Sequence, residues 1–110
     1  MATHFLNSNV IWLNTVDSTN EDAKRKIKDL SKPTWIISKK QSKGKGRNGN
    51  SWFSSQGNFS GSFVFFPAVD GSRLHLYGFF FGVALYNALT RILNDGTDIQ
   101  LKWPNDLLIE

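Results

Sequence analysis

The chain has 110 residues, enough for one domain and a buried core, and with 40% hydrophobic and 20% charged residues its composition excludes a disordered tail. It contains no cysteine, which excludes disulfides, thiolate metal sites and cysteine nucleophiles. The net charge of +4 is unevenly placed: no Asp or Glu occurs between Asp29 and Asp70, whereas Lys32, Lys39, Lys40, Lys43, Lys45 and Arg47 do, a pattern that points to an anionic ligand.

Residues 1–7 lack the basic start and apolar stretch of a secretory signal, so a cytoplasmic location is expected. Residues 10–16 are apolar and β-branched and predict a strand. It ends in Asp17-Ser18-Thr19-Asn20, where a helix begins. Ser18 followed three residues later by Glu21 forms a capping-box pattern, in which hydroxyl and carboxylate reciprocally satisfy exposed backbone N–H groups. Ala23, Ile27 and Leu30 give one apolar stripe, and acidic residues precede basic ones as the helix dipole favours. Pro33 closes this region, and residues 34–38 read as a buried strand from their β-branched and aromatic content.

Residues 39–51 carry no large apolar side chain and are predicted to form a loop that stays mobile until something binds. Across residues 58–66, Phe59, Phe63 and Phe65 alternate with Ser60, Ser62 and Val64, as on a half-buried strand that Pro67 ends. Residues 74–93 predict a second helix, with Leu85, Ala88, Leu89 and Ile92 at helical spacing. Its first half, residues 78–82, is apolar all round and is expected at the centre of the core. The apolar stretch 76–89 is shorter than the ~20 residues that span a bilayer, so no membrane span is expected. Residues 94–97 signal a turn, 99–103 a strand, 104–106 a further turn, and 107–109 the opening of another strand.

Gly44-Lys45-Gly46-Arg47-Asn48-Gly49 matches G-x-G-x-x-G, the dinucleotide fingerprint, but its context does not fit. No helical periodicity follows, and no acidic residue precedes Asp70. A Walker A pattern is also absent. The residues still describe a chemistry. Glycines let backbone N–H groups approach an anion, and Lys and Arg neutralise phosphate by point and bidentate contacts. A solvated basic surface loop is the plain alternative. Likewise Ser18 can be only a helix cap and Trp52 only a core residue. His4 and His75 fit no shared metal-ligand spacing and read as surface or interface residues.

Residues 44–52, Gly44-Lys45-Gly46-Arg47-Asn48-Gly49-Asn50-Ser51-Trp52, resemble the G-R-G-R-x-G-R-x-W segment of biotin protein ligases, with Gln41 at the place of the family's biotin-contacting glutamine. Asp17-Ser18-Thr19-Asn20 resembles the family's D-S-T-N segment, and Lys102-Trp103-Pro104-Asn105-Asp106 its K-W-P-N-D motif. The three motifs occur in the family's order over nearly the whole chain. Lys45 and Asn50 stand where the family often has arginine, while Arg47 keeps its place.

The resemblance implies an α+β fold, a mixed and mostly antiparallel sheet with packed helices, similar to the catalytic domain of biotin and lipoate ligases. Residues 1–110 would be the N-terminal part of that domain, incomplete at the C-terminus and without a DNA-binding domain. It implies biotin, ATP and Mg²⁺ as ligands, and a biotin carboxyl carrier domain of a biotin-dependent carboxylase as partner. It implies no specific nucleic acid and no membrane, and it allows a homodimer. Ser18, Thr19, Asn20, Gln41, Gly44, Gly46, Arg47 and Trp52 would bind biotin. Arg47, Lys102, Asn105 and Asp106 would meet the nucleotide, Asp106 also the metal, and Arg47 would act in catalysis, while the family's catalytic lysine would fall beyond Glu110. The 110-residue chain alone would then bind biotin weakly and associate through an exposed sheet edge. Three other readings are weighed beside this one. They are a nucleic-acid-binding module stacking bases on Trp35, Trp52 and Phe53, a non-catalytic ligase remnant, and a lipoate-type ligase, whose arginine and glycine-triplet pattern is missing.

Overall fold

A computed structural model describes residues 7–68, 70–102 and 106–109. The chain divides into two compact units, Met1–Pro67 and Ala68–Glu110. In the first, strand β1 (Asn9–Val16) lies parallel to β2 (Thr34–Gln41), and β3 (Ser60–Val64) runs antiparallel to β2, so β2 is the central strand. Parallel neighbours need a crossover. Helix α1 (Thr19–Lys26) and a 3₁₀ turn over Ile27–Asp29 supply it.

Register decides which side chains meet the helix. Ile11 lies opposite Ile36, and Ile36 opposite Ser62, so one sheet face carries Ile11, Leu13, Thr34, Ile36, Ser38, Ser60, Ser62 and Val64. Ile36 is fully buried there, packed with Ala23 and Val64 and flanked by Ile11, Leu13 and Leu30. The buried hydroxyls of Thr34 and Ser38 donate to the carbonyls of Lys32 and Lys40, each at 2.8 Å, which offsets their removal from water.

The half-buried strand is present at β3, but its buried face is the serine face. Phe63 lies opposite Trp35 on the other side of the sheet, with ring centroids 4.8 Å apart, and Phe65 stacks on Phe63 at 5.8 Å. Small side chains on the inner face leave room for α1 to come within hydrogen-bonding range of the strand. The expected apolar stripe on α1 is also broken at one position. Ala23 and Leu30 point into the core, but Ile27 is 48% exposed, because the helix tightens to 3₁₀ there and a three-residue turn rotates it away.

In the second unit, a 3₁₀ turn over Gly71–Arg73 leads into helix α2 (Leu76–Ile92). Strands β4 (Ile99–Lys102) and β5 (Asp106–Ile109) form an antiparallel hairpin that places Lys102 opposite Asp106. The predicted turn at 94–97 is closed by a hydrogen bond from the Thr97 N–H to the Asn94 carbonyl, at 2.9 Å. The expectation that residues 78–82 sit at the centre of a core is not met, since α2 buries no residue. Within its own unit it packs against the two short strands β4 and β5. Among the described residues, no helix is long and apolar enough to cross a membrane.

Candidate functional site

The start of α1, the end of β2 and the middle of β3 converge on one polar cluster. Ser18 is the N-cap, with extended backbone (φ −155°, ψ 134°), and its hydroxyl accepts from the Glu21 N–H at 3.4 Å. The other half of the expected capping box is absent. The Ser18 N–H donates instead to the Asp17 carboxylate at 2.8 Å, while the Glu21 carboxylate meets Lys45 at 3.1 Å and Lys24 at 3.4 Å. The Glu21 carboxylate is thus taken by two lysine ammonium groups, and they lower its pKa, Lys45 foremost. Asp17 is gripped by both guanidinium nitrogens of Arg25, at 2.7 and 3.0 Å. That pair, with the Ser18 N–H, holds the Asp17 carboxyl well below the usual range and pushes the Arg25 pKa up.

Strand β2 runs three residues into the predicted loop, because Thr15 and Val16 of β1 pair with Lys40 and Gln41. Gln41 is thereby fixed beside α1. Its Oε1 accepts from the Thr19 N–H at 2.8 Å and lies 3.2 Å from the Thr19 hydroxyl, and its Nε2 donates to the Ser54 hydroxyl at 2.9 Å. A backbone N–H can only donate, so the amide orientation of Gln41 is determined. Among the described residues its second Nε2 hydrogen meets no acceptor. Thr19 also meets Ser62 at 2.8 Å, and the Ser62 hydroxyl donates to Asn20 Oδ1 at 2.6 Å. Ser54 and Ser62 escape the sequence reading, and the signal that could have found Ser62 is its place on the small polar face of an otherwise aromatic strand.

The glycine loop is folded back on itself. The Ser42 and Lys43 N–H groups donate to the carbonyls of Val16 and Asp17, a bridge joins Lys45 to Ser51, and the Trp52 N–H donates to the Gly44 carbonyl at 2.8 Å. Only glycine fits at position 44, since a Cβ there would lie 2.6 Å from the Trp52 carbonyl oxygen. Gly46 has room for a methyl group and lies against the indole ring of Trp52, which is itself 61% exposed. Arg47 opens a 3₁₀ turn at the tip, and Asn48 takes the left-handed conformation (φ 58°) that asparagine tolerates. Among the described residues Arg47 makes no ion pair, in contrast to Lys45.

Ser18, Thr19, Asn20, Gln41, Gly44, Gly46, Arg47 and Trp52 thus all belong to the first unit, where the start of α1, the end of β2 and the loop carry them. Lys102 and Asp106 belong to the second unit, opposite each other across the β4–β5 hairpin, and Asn105 lies outside the described residues. No group of three His, Cys, Asp or Glu side chains is placed to hold a metal among the described residues.

In this α+β fold a partly buried polar cluster around Thr19, Gln41, Ser54 and Ser62 stands beside a glycine loop that carries Arg47. The family described as biotin/lipoate A/B protein ligase matches residues 12–110, and the chain belongs to that family. It is 34% identical over 93 residues to a biotin–[acetyl-CoA-carboxylase] ligase of Paracoccus denitrificans, a match covering 84% of this chain and 39% of that one. Among solved structures it is similar to a biotin protein ligase from Aquifex aeolicus in complex with biotin and ATP, with a TM-score of 0.75 and 36% identity over 90% of this chain and 40% of that one. It is also similar to a biotin–acetyl-coenzyme A carboxylase synthetase from Helicobacter pylori with bound biotinylated ATP. That match has a TM-score of 0.69 and 26% identity over 93% of this chain and 49% of that one. The chain therefore spans less than half the length of each of these relatives.

Proposed function

We propose that residues 18–62 form the biotin site of a biotin protein ligase, which activates biotin with ATP to biotinyl-5'-adenylate and then passes biotin to a lysine of a biotin carboxyl carrier domain. The observation that carries this reading is the junction of Thr19, Gln41 and Ser54 by hydrogen bonds of 2.8 and 2.9 Å, directly beside the folded glycine loop. Biotin's ureido ring offers one acceptor oxygen and two N–H donors. The free N–H of Gln41 and the hydroxyl of Ser18 are groups suited to it.

In the first reaction the biotin carboxylate attacks the α-phosphorus, a new P–O bond forms, and pyrophosphate leaves. Two anions must be brought together, which Arg47 favours with a planar cation that no carboxylate of the loop competes for. The backbone N–H groups around Gly44 and Gly46 can approach the phosphate closely. The loop also keeps water from the mixed anhydride. In the second reaction the carrier lysine's amine attacks the acyl carbon and AMP departs. Lys102 and Asp106 face each other across a hairpin, an arrangement suited to nucleotide phosphates. Mg²⁺ bound there would take one protein carboxylate, Asp106, and draw its other oxygens from phosphates and water. The expected setting is the cytoplasm.

The proposal is tested by retention of biotinyl-adenylate. Arg47→Ala is expected to weaken it about tenfold or more, and Lys45→Ala only a few-fold, because a bidentate guanidinium contact is harder to replace than an exposed ion pair. Equal losses would favour a diffuse basic surface. Strongly salt-dependent oligonucleotide binding, indifferent to biotin, would favour a nucleic-acid module instead.

A further inference from the structure

Ser62 touches both Thr19 and Asn20, and counting hydrogens fixes what this triad can present to a ligand. Each hydroxyl has one proton to donate. Thr19 Oγ1 lies 2.8 Å from Ser62 Oγ and 3.2 Å from Gln41 Oε1, and Ser62 Oγ lies 2.6 Å from an atom of the Asn20 amide. Two arrangements conserve protons. In one, Thr19 donates to Ser62 and Ser62 donates to the Asn20 oxygen, so that the Asn20 NH₂ faces outward. In the other, Thr19 donates to Gln41, Ser62 donates to Thr19, and Asn20 turns its NH₂ toward Ser62 and its oxygen outward.

The distances select the first. The atom of Asn20 that meets Ser62 Oγ is Oδ1, at 2.6 Å, and an amide oxygen can only accept, so the Ser62 hydroxyl is the donor. Gln41 Oε1 already accepts from the Thr19 N–H at 2.8 Å, and the Thr19–Ser62 contact is the shorter of the two open to the Thr19 hydroxyl. Among the described residues the Asn20 amide nitrogen donates to nothing. The backbone supports the same order. Ser62 sits opposite the fully buried Ile36 in the β2–β3 register, so its position is held by the core.

We propose that Ser62 is a positioning residue, whose hydroxyl relays the Thr19 proton and turns the Asn20 amide so that its N–H groups face a ligand acceptor. This rests on the reading of the polar cluster as a biotin site. The relay makes the site select for an acceptor oxygen in the ureido position, and Ser62 governs that selectivity without touching the ligand.

The test is calorimetric titration of the chain and its Ser62→Ala and Ser62→Thr variants with biotin and with 2-thiobiotin, whose sulfur is a weaker acceptor. The unsubstituted chain should prefer biotin. Ser62→Ala should lose about five- to tenfold in biotin affinity, the size of one net hydrogen bond, with a smaller loss for 2-thiobiotin, so the preference narrows. Ser62→Thr keeps a hydroxyl and should restore it. An equal loss for both ligands would make Ser62 merely structural and overturn the proposal, as would a preference unchanged in Ser62→Ala. If the unsubstituted chain binds neither compound, the functional reading fails, and proton NMR still judges the relay. The side-chain amide signals of Asn20 should move in Ser62→Ala and stay in place in Ser62→Thr, and signals unmoved in both would overturn it.

Discussion

The two units use their apolar residues in opposite ways. In Met1–Pro67 a small core forms around Ile36, which is 0% exposed, and the polar cluster of Thr19, Gln41 and Ser62 is carried by the strands and helix that pack around it. In Ala68–Glu110 a 17-residue helix carries Phe79, Phe80 and Phe81 yet buries nothing, and Ile99 is the buried hydrophobic residue of that unit among those described. A helix apolar on every side is stable only when covered on every side. Two four-residue strands do not cover it. The lesson is that a precise polar site needs little apolar mass, provided that mass sits directly beneath the strands that carry the site.

That contrast can be broken most forcefully in the core. Ile36→Ala should cost about 2–4 kcal/mol, the usual range for an emptied core position. Ile99→Ala, at the edge of a hairpin, should cost less than half as much, and denaturant titration of both variants measures the difference. Comparable losses would mean that the second unit holds a core of its own. A smaller effect separates two glycines of the loop. Gly44→Ala forces the Trp52 carbonyl to move and should lower stability by about 1–3 kcal/mol, as overpacking does, whereas Gly46→Ala has ordinary contacts and should stay within about 1 kcal/mol, the usual cost of a glycine-to-alanine exchange. Thermal melts of the two variants compare them directly.

The smallest effect is electrostatic. Asp17 and Glu21 have pKa values lowered in the fold, Asp17 by Arg25 first and Glu21 by Lys45 first. A lowered carboxyl pKa contributes stability that is present above its unfolded value, about 4, and is lost as pH falls through the folded value. Melting temperature should therefore decline below about pH 4, and less steeply in Asp17→Asn. Both groups are partly exposed to solvent, so the decline should be modest and should weaken in high salt.

The elements themselves were legible because their signals are local. The cap at Ser18, the dipole-ordered charges of α1, the β-branched run before Asp17 and the turn at 94–97 each follow from a few adjacent residues. What escaped was set by distant partners. The Ser18–Glu21 spacing names a capping box, but Lys45, 24 residues onward, takes the Glu21 carboxylate. The alternation over residues 58–66 announces a half-buried strand without saying which face is buried, and register with β2 decides for the serines. Gln41 is matched by its place in a motif, yet its orientation depends on the Thr19 N–H and on Ser54, which no spacing rule connects. The glycine loop reads as mobile until something binds because it lacks apolar anchors, and the backbone pairing of Gly44 with Trp52 within it is a feature that side-chain patterns do not reveal.

Amide hydrogen exchange with and without biotin is the sharpest test of the proposal that the first unit carries the biotin-binding residues. Exchange should slow in the loop, residues 42–52, and at the start of α1, with α2 and the β4–β5 hairpin unchanged. Protection confined to α2 or the hairpin, with the loop exchanging as before, would contradict it.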